Sequence, residues 1–179
     1  MMKIITLLFA YIAIVNSLEL RDNHIDWKIR SSYITRGVNV KEITNGYEVE
    51  WLEEFDEHTN PLKVYYNYIF EDSGTREIIN LDNLCSTYRP GTPEFAVQQH
   101  MLTRLANTRT CPIKKGTKVA LRPWDLYSWQ TNNLRCGYVD GTSYISKKNS
   151  NRAGHTPFLL SIHFTGMVVG PNCVPDSLS

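Results

Sequence analysis

The stretch Val38-Asn39-Val40-Lys41-Glu42-Ile43-Thr44-Asn45-Gly46-Tyr47-Glu48-Val49-Glu50-Trp51 decides the fold class. Apolar and polar residues alternate on both sides of Asn45-Gly46, which is the period of a strand with one buried face. Asn-Gly is the favoured pair for a two-residue hairpin, because a type I′ turn needs positive φ at both central positions. With that pair at the tip, Thr44 is predicted to face Tyr47, Glu42 to face Val49, and Val40 to face Trp51. Val38, Val40, Tyr47, Val49 and Trp51 then share one face, while Lys41 and Glu50 meet on the other.

The same alternation recurs on both sides of this hairpin. In Leu62–Phe70 the even positions Leu62, Val64, Tyr66, Tyr68 and Phe70 are all apolar or aromatic. Asp72-Ser73-Gly74 reads as a turn, and residues 75–80 return as a shorter strand. Late in the chain, residues 157–169 place Phe158, Leu160, Ile162, Phe164 and Val168 on one face and Ser161, His163 and Thr165 on the other. Further strands are predicted at 26–30, 117–121 and 138–145, the last interrupted at Asp140-Gly141. One segment breaks the pattern. Thr92-Pro93-Glu94 combines an N-cap residue, a proline for the first helical position and a first-turn acid. Phe95, Leu102, Leu105 and Ala106 follow as an apolar stripe, and the helix should end near Asn107. The expectation is an all-β, mainly antiparallel fold of two sheets with one short helix, in a single domain.

Residues 1–17 carry one positive charge (Lys3), an almost wholly apolar run from Ile4 to Val15, and small or compact residues before a cut after Ser17. That is the make-up of a secretory signal peptide, and the run of about twelve residues is short against the ~20 needed to span a bilayer. The full chain has 19 Lys+Arg and 18 Asp+Glu, so removing Lys3 leaves 18 of each in residues 18–179. A neutral domain gives no support to nucleic acid as partner, since such proteins usually carry a basic excess or stripe. In a secreted chain Cys85, Cys111, Cys136 and Cys173 are expected to form two disulfides, with three connectivities open. Their wide spacing does not resemble a zinc knuckle, and no metal or other cofactor is expected. The predicted helix lies between the first two cysteines, so a Cys85–Cys111 bridge would clamp both its ends.

No sequence motif points to catalysis: there is no GxSxG elbow, HExxH helix, phosphate loop or GxGxxG. Ser161, His163 and Asp125 can be assembled as a triad only on paper, and the protein is not expected to be an enzyme. His155 and His163 read as a loop residue and a strand's solvent face rather than a metal pair. Glu53-Glu54 and Asp56-Glu57 read as a solvated turn. The run Pro123-Trp124-Asp125-Leu126-Tyr127-Ser128-Trp129 has no clear periodicity and is dense in amphipathic rings, which suit a core plug, a pocket rim or a lipid interface.

Asn60-Pro61-Leu62-Lys63-Val64, a strand ending in Cys85, a helix after Gly91-Thr92-Pro93-Glu94, and Cys111-Pro112-Ile113-Lys114-Lys115-Gly116-Thr117 follow one another in that order. Over roughly residues 62–169 this resembles the ganglioside-activator (ML-like) type of lipid-recognition protein, including the insect CheB-type secreted chemosensory proteins. The resemblance implies a β-cup, in which two antiparallel sheets spread around an apolar cavity with the helix and loops at its mouth. It also implies a Cys85–Cys111 bridge, leaving Cys136 for Cys173, and a membrane-contacting role for a loop matching Trp124 to Asn133. The chain departs from ganglioside activators in having fewer cysteines and a longer stretch from Arg135 to His155.

The expected function is therefore a secreted, non-enzymatic binder of a lipid or other small hydrophobic ligand, held by apolar burial between the sheets. Trp51, Tyr66, Tyr68, Leu102, Leu105, Phe158, Leu160, Ile162 and Phe164 are predicted to line the cavity. Trp124, Tyr127 and Trp129 would form the rim and touch a membrane surface transiently. The competing expectation is a β-sandwich with a filled core that binds another protein through the same aromatic loop.

Overall fold

A computed structural model describes residues 26–32, 35–122, 135–148, 157–168 and 174–175, and among these the alternation becomes nine strands and one helix. The strands are β1 (Asp26–Ser31), β2 (Val38–Ile43), β3 (Gly46–Trp51), β4 (Leu62–Phe70), β5 (Arg76–Leu81), β6 (Lys118–Leu121), β7 (Arg135–Lys147), β8 (Phe158–Val168) and β9 (Val174–Pro175). The helix α1 (Pro93–Ala106) stands between β5 and β6. A large sheet runs in the order β1-β8-β7-β4-β5 with β9 added in parallel beside β7, and a small sheet runs β2-β3-β6. All pairings except β7–β9 are antiparallel. The fold is all-β and two-sheeted, as the alternation requires.

Cross-strand register converts the sequence pattern into two faces. Ile79, Tyr66, Ser143, Ile162 and Ile29 line up across five strands, and all five are buried. Leu81, Val64, Ile145 and Leu160 make the next inward row. The small sheet contributes Val38, Val49 and Trp51 from the opposite side. One flank of this sandwich is closed by α1, which packs against both β5 and β6, and on the other flank β1 meets β2.

The helix has its predicted ends. The Phe95 N–H donates to the Thr92 hydroxyl at 3.3 Å, Pro93 takes the first turn, and Asn107 ends the helix at φ 49°. Its buried face is displaced from the predicted stripe: Val97 and Met101 join Leu102, Leu105 and Ala106, whereas Phe95 is only half-buried. The Gln98 amide donates to the carbonyls of Leu84 (2.7 Å) and Ser86 (2.6 Å), which ties the helix to the segment before it. A disulfide joins Cys85 to Cys111 and brackets the helix. Cys136 is also disulfide-bonded, and its expected partner Cys173 lies outside the described residues.

Three further sequence expectations are corrected. The hairpin closes on Ile43↔Gly46 with Thr44-Asn45 at its tip, so Val38 faces Trp51, Val40 faces Val49 and Glu42 faces Tyr47. Asn45 still supplies a left-handed residue (φ 64°), but Gly46 (φ 149°) belongs to β3, where a Cβ would lie 2.0 Å from the Leu121 carbonyl oxygen. The glycine admits the third strand instead of forming the tip. Because the shift is two residues, each side chain keeps its predicted face. Lys41 now stands opposite Glu48, and Glu50 pairs with Lys118 at 3.3 Å.

Asp140-Gly141 does not interrupt β7, which runs unbroken through Gly141. A Cβ there would sit 2.3 Å from the Phe164 ring, so this glycine makes room for an aromatic side chain of the next strand. The pairing of β7 with β8 slips between Ile145 and Ser146, so Leu160 pairs with Ile145 and Phe158 with Ser146. The extra residue, Leu159, turns inward and is fully buried, while Phe158 is 37% exposed on the outer face. An added residue in one strand re-aims the side chains before it, which period-two reading does not foresee.

Candidate ligand-binding site

Eight of the predicted lining residues lie inside: Trp51, Tyr66, Tyr68, Leu102, Leu105, Leu160, Ile162 and Phe164 are each at most 6% exposed. Side chains lining an empty space large enough for water would retain accessible surface, so these eight pack against protein atoms. Tyr66 stacks on Phe164 (centroids 5.0 Å apart) and meets Tyr68 and His100 edge-on at 6.0 and 6.2 Å. The Tyr68 hydroxyl donates to Glu77 Oε2 at 2.6 Å. The ninth predicted residue, Phe158, leaves this group for the outer face. Trp124, Tyr127 and Trp129 lie outside the described residues.

The space between the sheets opens along the flank where β1 meets β2. A groove of about 830 Å³ lies there, lined by Ile29, Arg30, Ser31 and Ser32 from β1 and its end, Asn39, Val40 and Glu42 from β2, Tyr47 from β3, and Phe158. Ile29 belongs to the inward row of the large sheet, and Val40, Glu42 and Tyr47 belong to the inward face of the hairpin. The apolar face of the hairpin is therefore longer than the part the core covers: Val38, Val49 and Trp51 are buried, whereas Val40 and Tyr47 are half-buried. Arg30, Glu42, Asn39 and the two serines surround this apolar floor with polar groups of both signs.

Sequence reasoning placed Val40 and Tyr47 on the apolar face without singling them out for the site. The available signal was their distance along the hairpin from Trp51, where the helix packs. Electrostatics elsewhere is structural. The Lys147 ammonium, hydrogen-bonded at 2.6 Å, holds the Glu53 carboxyl below its usual range. Hydrogen bonds from the Thr59 side chain and from the backbone of Thr59 and His58 bring Asp56 to about 2 and cap the turn that the acidic run forms. Ser161 and His163 stand on the outer side of β8, where His163 Nε2 is 3.1 Å from Asp140, and Asp125 lies outside the described residues. Among the described residues no three His, Cys, Asp or Glu side chains gather as a metal site, and no helix is long and apolar enough to cross a membrane. Compared by sequence, the chain matches no protein-family model and no curated protein.

Proposed function

We propose that the protein is a secreted, non-enzymatic binder of a lipid or other small hydrophobic ligand, taken up at the opening between its two sheets. The observation that carries this reading is the groove of about 830 Å³ between β1 and the β2–β3 hairpin, whose floor is Ile29, Val40 and Tyr47. Covering such a floor with a ligand's apolar chain gains about 25 cal/mol per Å² removed from water. The polar rim would suit an amphiphile, with its tail between the sheets and its head beside Arg30, Asn39 and Glu42. The Cys85–Cys111 disulfide fits the oxidising compartment that the N-terminal segment suggests. The resemblance to the ganglioside-activator type points the same way.

The test is displacement of an apolar fluorescent probe from the natively secreted protein, with solvent extraction of co-purified lipid. Val40→Asp puts a charge into the groove floor and should weaken the probe by about tenfold or more. A protein that carries no extractable lipid and binds no probe would overturn the proposal.

A further inference from the structure

The outer face of the large sheet carries an aromatic cluster whose Tyr65 and Tyr144 lie outside the groove between the sheets, while its Phe158 borders both. Register aligns Asn80, Tyr65, Tyr144, Ser161 and Arg30 across β5, β4, β7, β8 and β1. The next row pairs Lys63 with Ser146 and Ser146 with Phe158. Tyr65, Tyr144 and Phe158 are 37%, 42% and 37% exposed, on three adjacent strands of a face that water would normally populate with polar side chains. Their rings touch in sequence, with centroids 6.3 Å apart for Tyr65–Tyr144 and 6.2 Å for Tyr144–Phe158. Beside them lies a shallow groove of about 510 Å³, lined by Lys63, Tyr65, Asn80, Asp82, Tyr144, Ser146 and Phe158, with Val64 and Leu81 at its base.

We propose that this aromatic groove is a second binding site, for an acidic oligosaccharide. Three features select that chemistry. The rings present broad faces whose negative quadrupole attracts the positively polarised C–H groups on one side of a pyranose. The rim offers an amide, a carboxylate, a hydroxyl and an ammonium (Asn80, Asp82, Ser146, Lys63), the mixed donors and acceptors that neighbouring sugar hydroxyls need. The charge is locally unbalanced: among the described residues Lys63 and Lys148 both pair with the single Asp82, in a chain whose residues 18–179 balance to zero. Lys63 (3.2 Å) and Lys148 both lean on the one Asp82 carboxylate, so a carboxylate or sulfate on the sugar completes the neutralisation. An apolar partner would leave these ions desolvated and incompletely paired.

The experiment is affinity electrophoresis and titration calorimetry of the full secreted protein with three hexasaccharides. One alternates glucuronate and N-acetylglucosamine, one is sulfated heparin, and one is neutral chitohexaose. The acidic sugars should bind and the neutral one should bind at least about tenfold more weakly, with affinity falling as salt rises. Tyr144→Ala and Tyr65→Ala should each weaken binding by about tenfold, Tyr144→Phe should retain it, and Lys63→Ala should narrow the acidic-to-neutral difference. None of these three positions lines the groove between the sheets, so every variant should still bind the apolar probe as the parent does, and circular dichroism reports that it is folded. Equal binding of acidic and neutral sugars, or undiminished binding by the tyrosine variants, would overturn the proposal. Loss of anionic-vesicle or peptide binding in those variants, with no sugar binding by the parent protein, would overturn it as well.

Discussion

The indole N–H of Trp51 donates to the main-chain carbonyl of Leu105 at 2.6 Å, joining the end of β3 to the last turn of α1 across 54 residues. Leu105 lies in the helix's last turn, where carbonyls have no partner within the helix, and both residues are at most 1% exposed. The bond fastens the small sheet to the helix that closes one flank of the sandwich. Trp51→Phe keeps an aromatic ring but strands a buried carbonyl. It should lower unfolding free energy by about 2 kcal/mol in urea titration, with the fold intact by circular dichroism.

The inserted residue in β8 makes a prediction opposite to that of simple alternation. Leu159→Ala, at a fully buried position, should cost about 3 kcal/mol, whereas Phe158→Ala on the outer face should cost about 1 kcal/mol or less. Chemical denaturation of the two variants decides it; the reverse ranking would refute the bulge.

Two glycines with positive φ should respond differently to alanine. A Cβ at Gly46 meets the Leu121 carbonyl oxygen at 2.0 Å, and relieving it means moving β6. Gly74 (φ 68°) sits in the β4–β5 turn with nothing within 4 Å of an added Cβ. Gly74→Ala should cost about 1 kcal/mol, from backbone conformation alone. Gly46→Ala should cost about 3 kcal/mol or more, and amide exchange in β6 should speed up selectively.

Acid should destabilise the protein in a defined window. His100, 3% exposed and facing Tyr66, is pushed down to about 3 by burial, with repulsion from Arg104 adding to it. The unfolded chain takes up that proton near pH 6.5 and the folded chain does not, so the unfolded state binds more protons below that point. Stability should therefore fall by about 1.4 kcal/mol per pH unit as pH drops below 6.5. Glu53, Asp56 and Asp82 have depressed values, so their contributions are present above the usual carboxylate range and are lost only below about pH 4.5. Between those limits, roughly pH 6.5 to 4.5, His100 is the one of these four groups that contributes a slope. Denaturant titrations at several pH values should show His100→Leu flattening this slope.

Residues 62–70 were legible because period two needs no knowledge of the rest of the chain: a strand with one covered side must alternate. The helix was legible for the same reason, since Thr92, Pro93 and Asn107 act within one turn of themselves. Its buried face was not, because Val97 and Met101 rather than Phe95 are chosen by where β5 and β6 lie. The candidate site was half legible. The hairpin alternation marked Val40 and Tyr47 as apolar-faced, yet only the approach of β1 shows that the core leaves them half-covered.

Strand alternation, the all-β class, the helix with its two ends and the inward row on β4 can be read from the chain alone, because each depends on neighbours a few residues away. The hairpin register, the outward turn of Phe158, the flank on which the sheets open, and the meeting of Tyr65, Tyr144 and Phe158 emerge only in the folded molecule. Each of these is set by which distant backbone comes close: Leu121 beside Gly46, Phe164 over Gly141, β1 beside β2. A residue's own chemistry states which face it prefers, while only the assembled sheets state what that face meets.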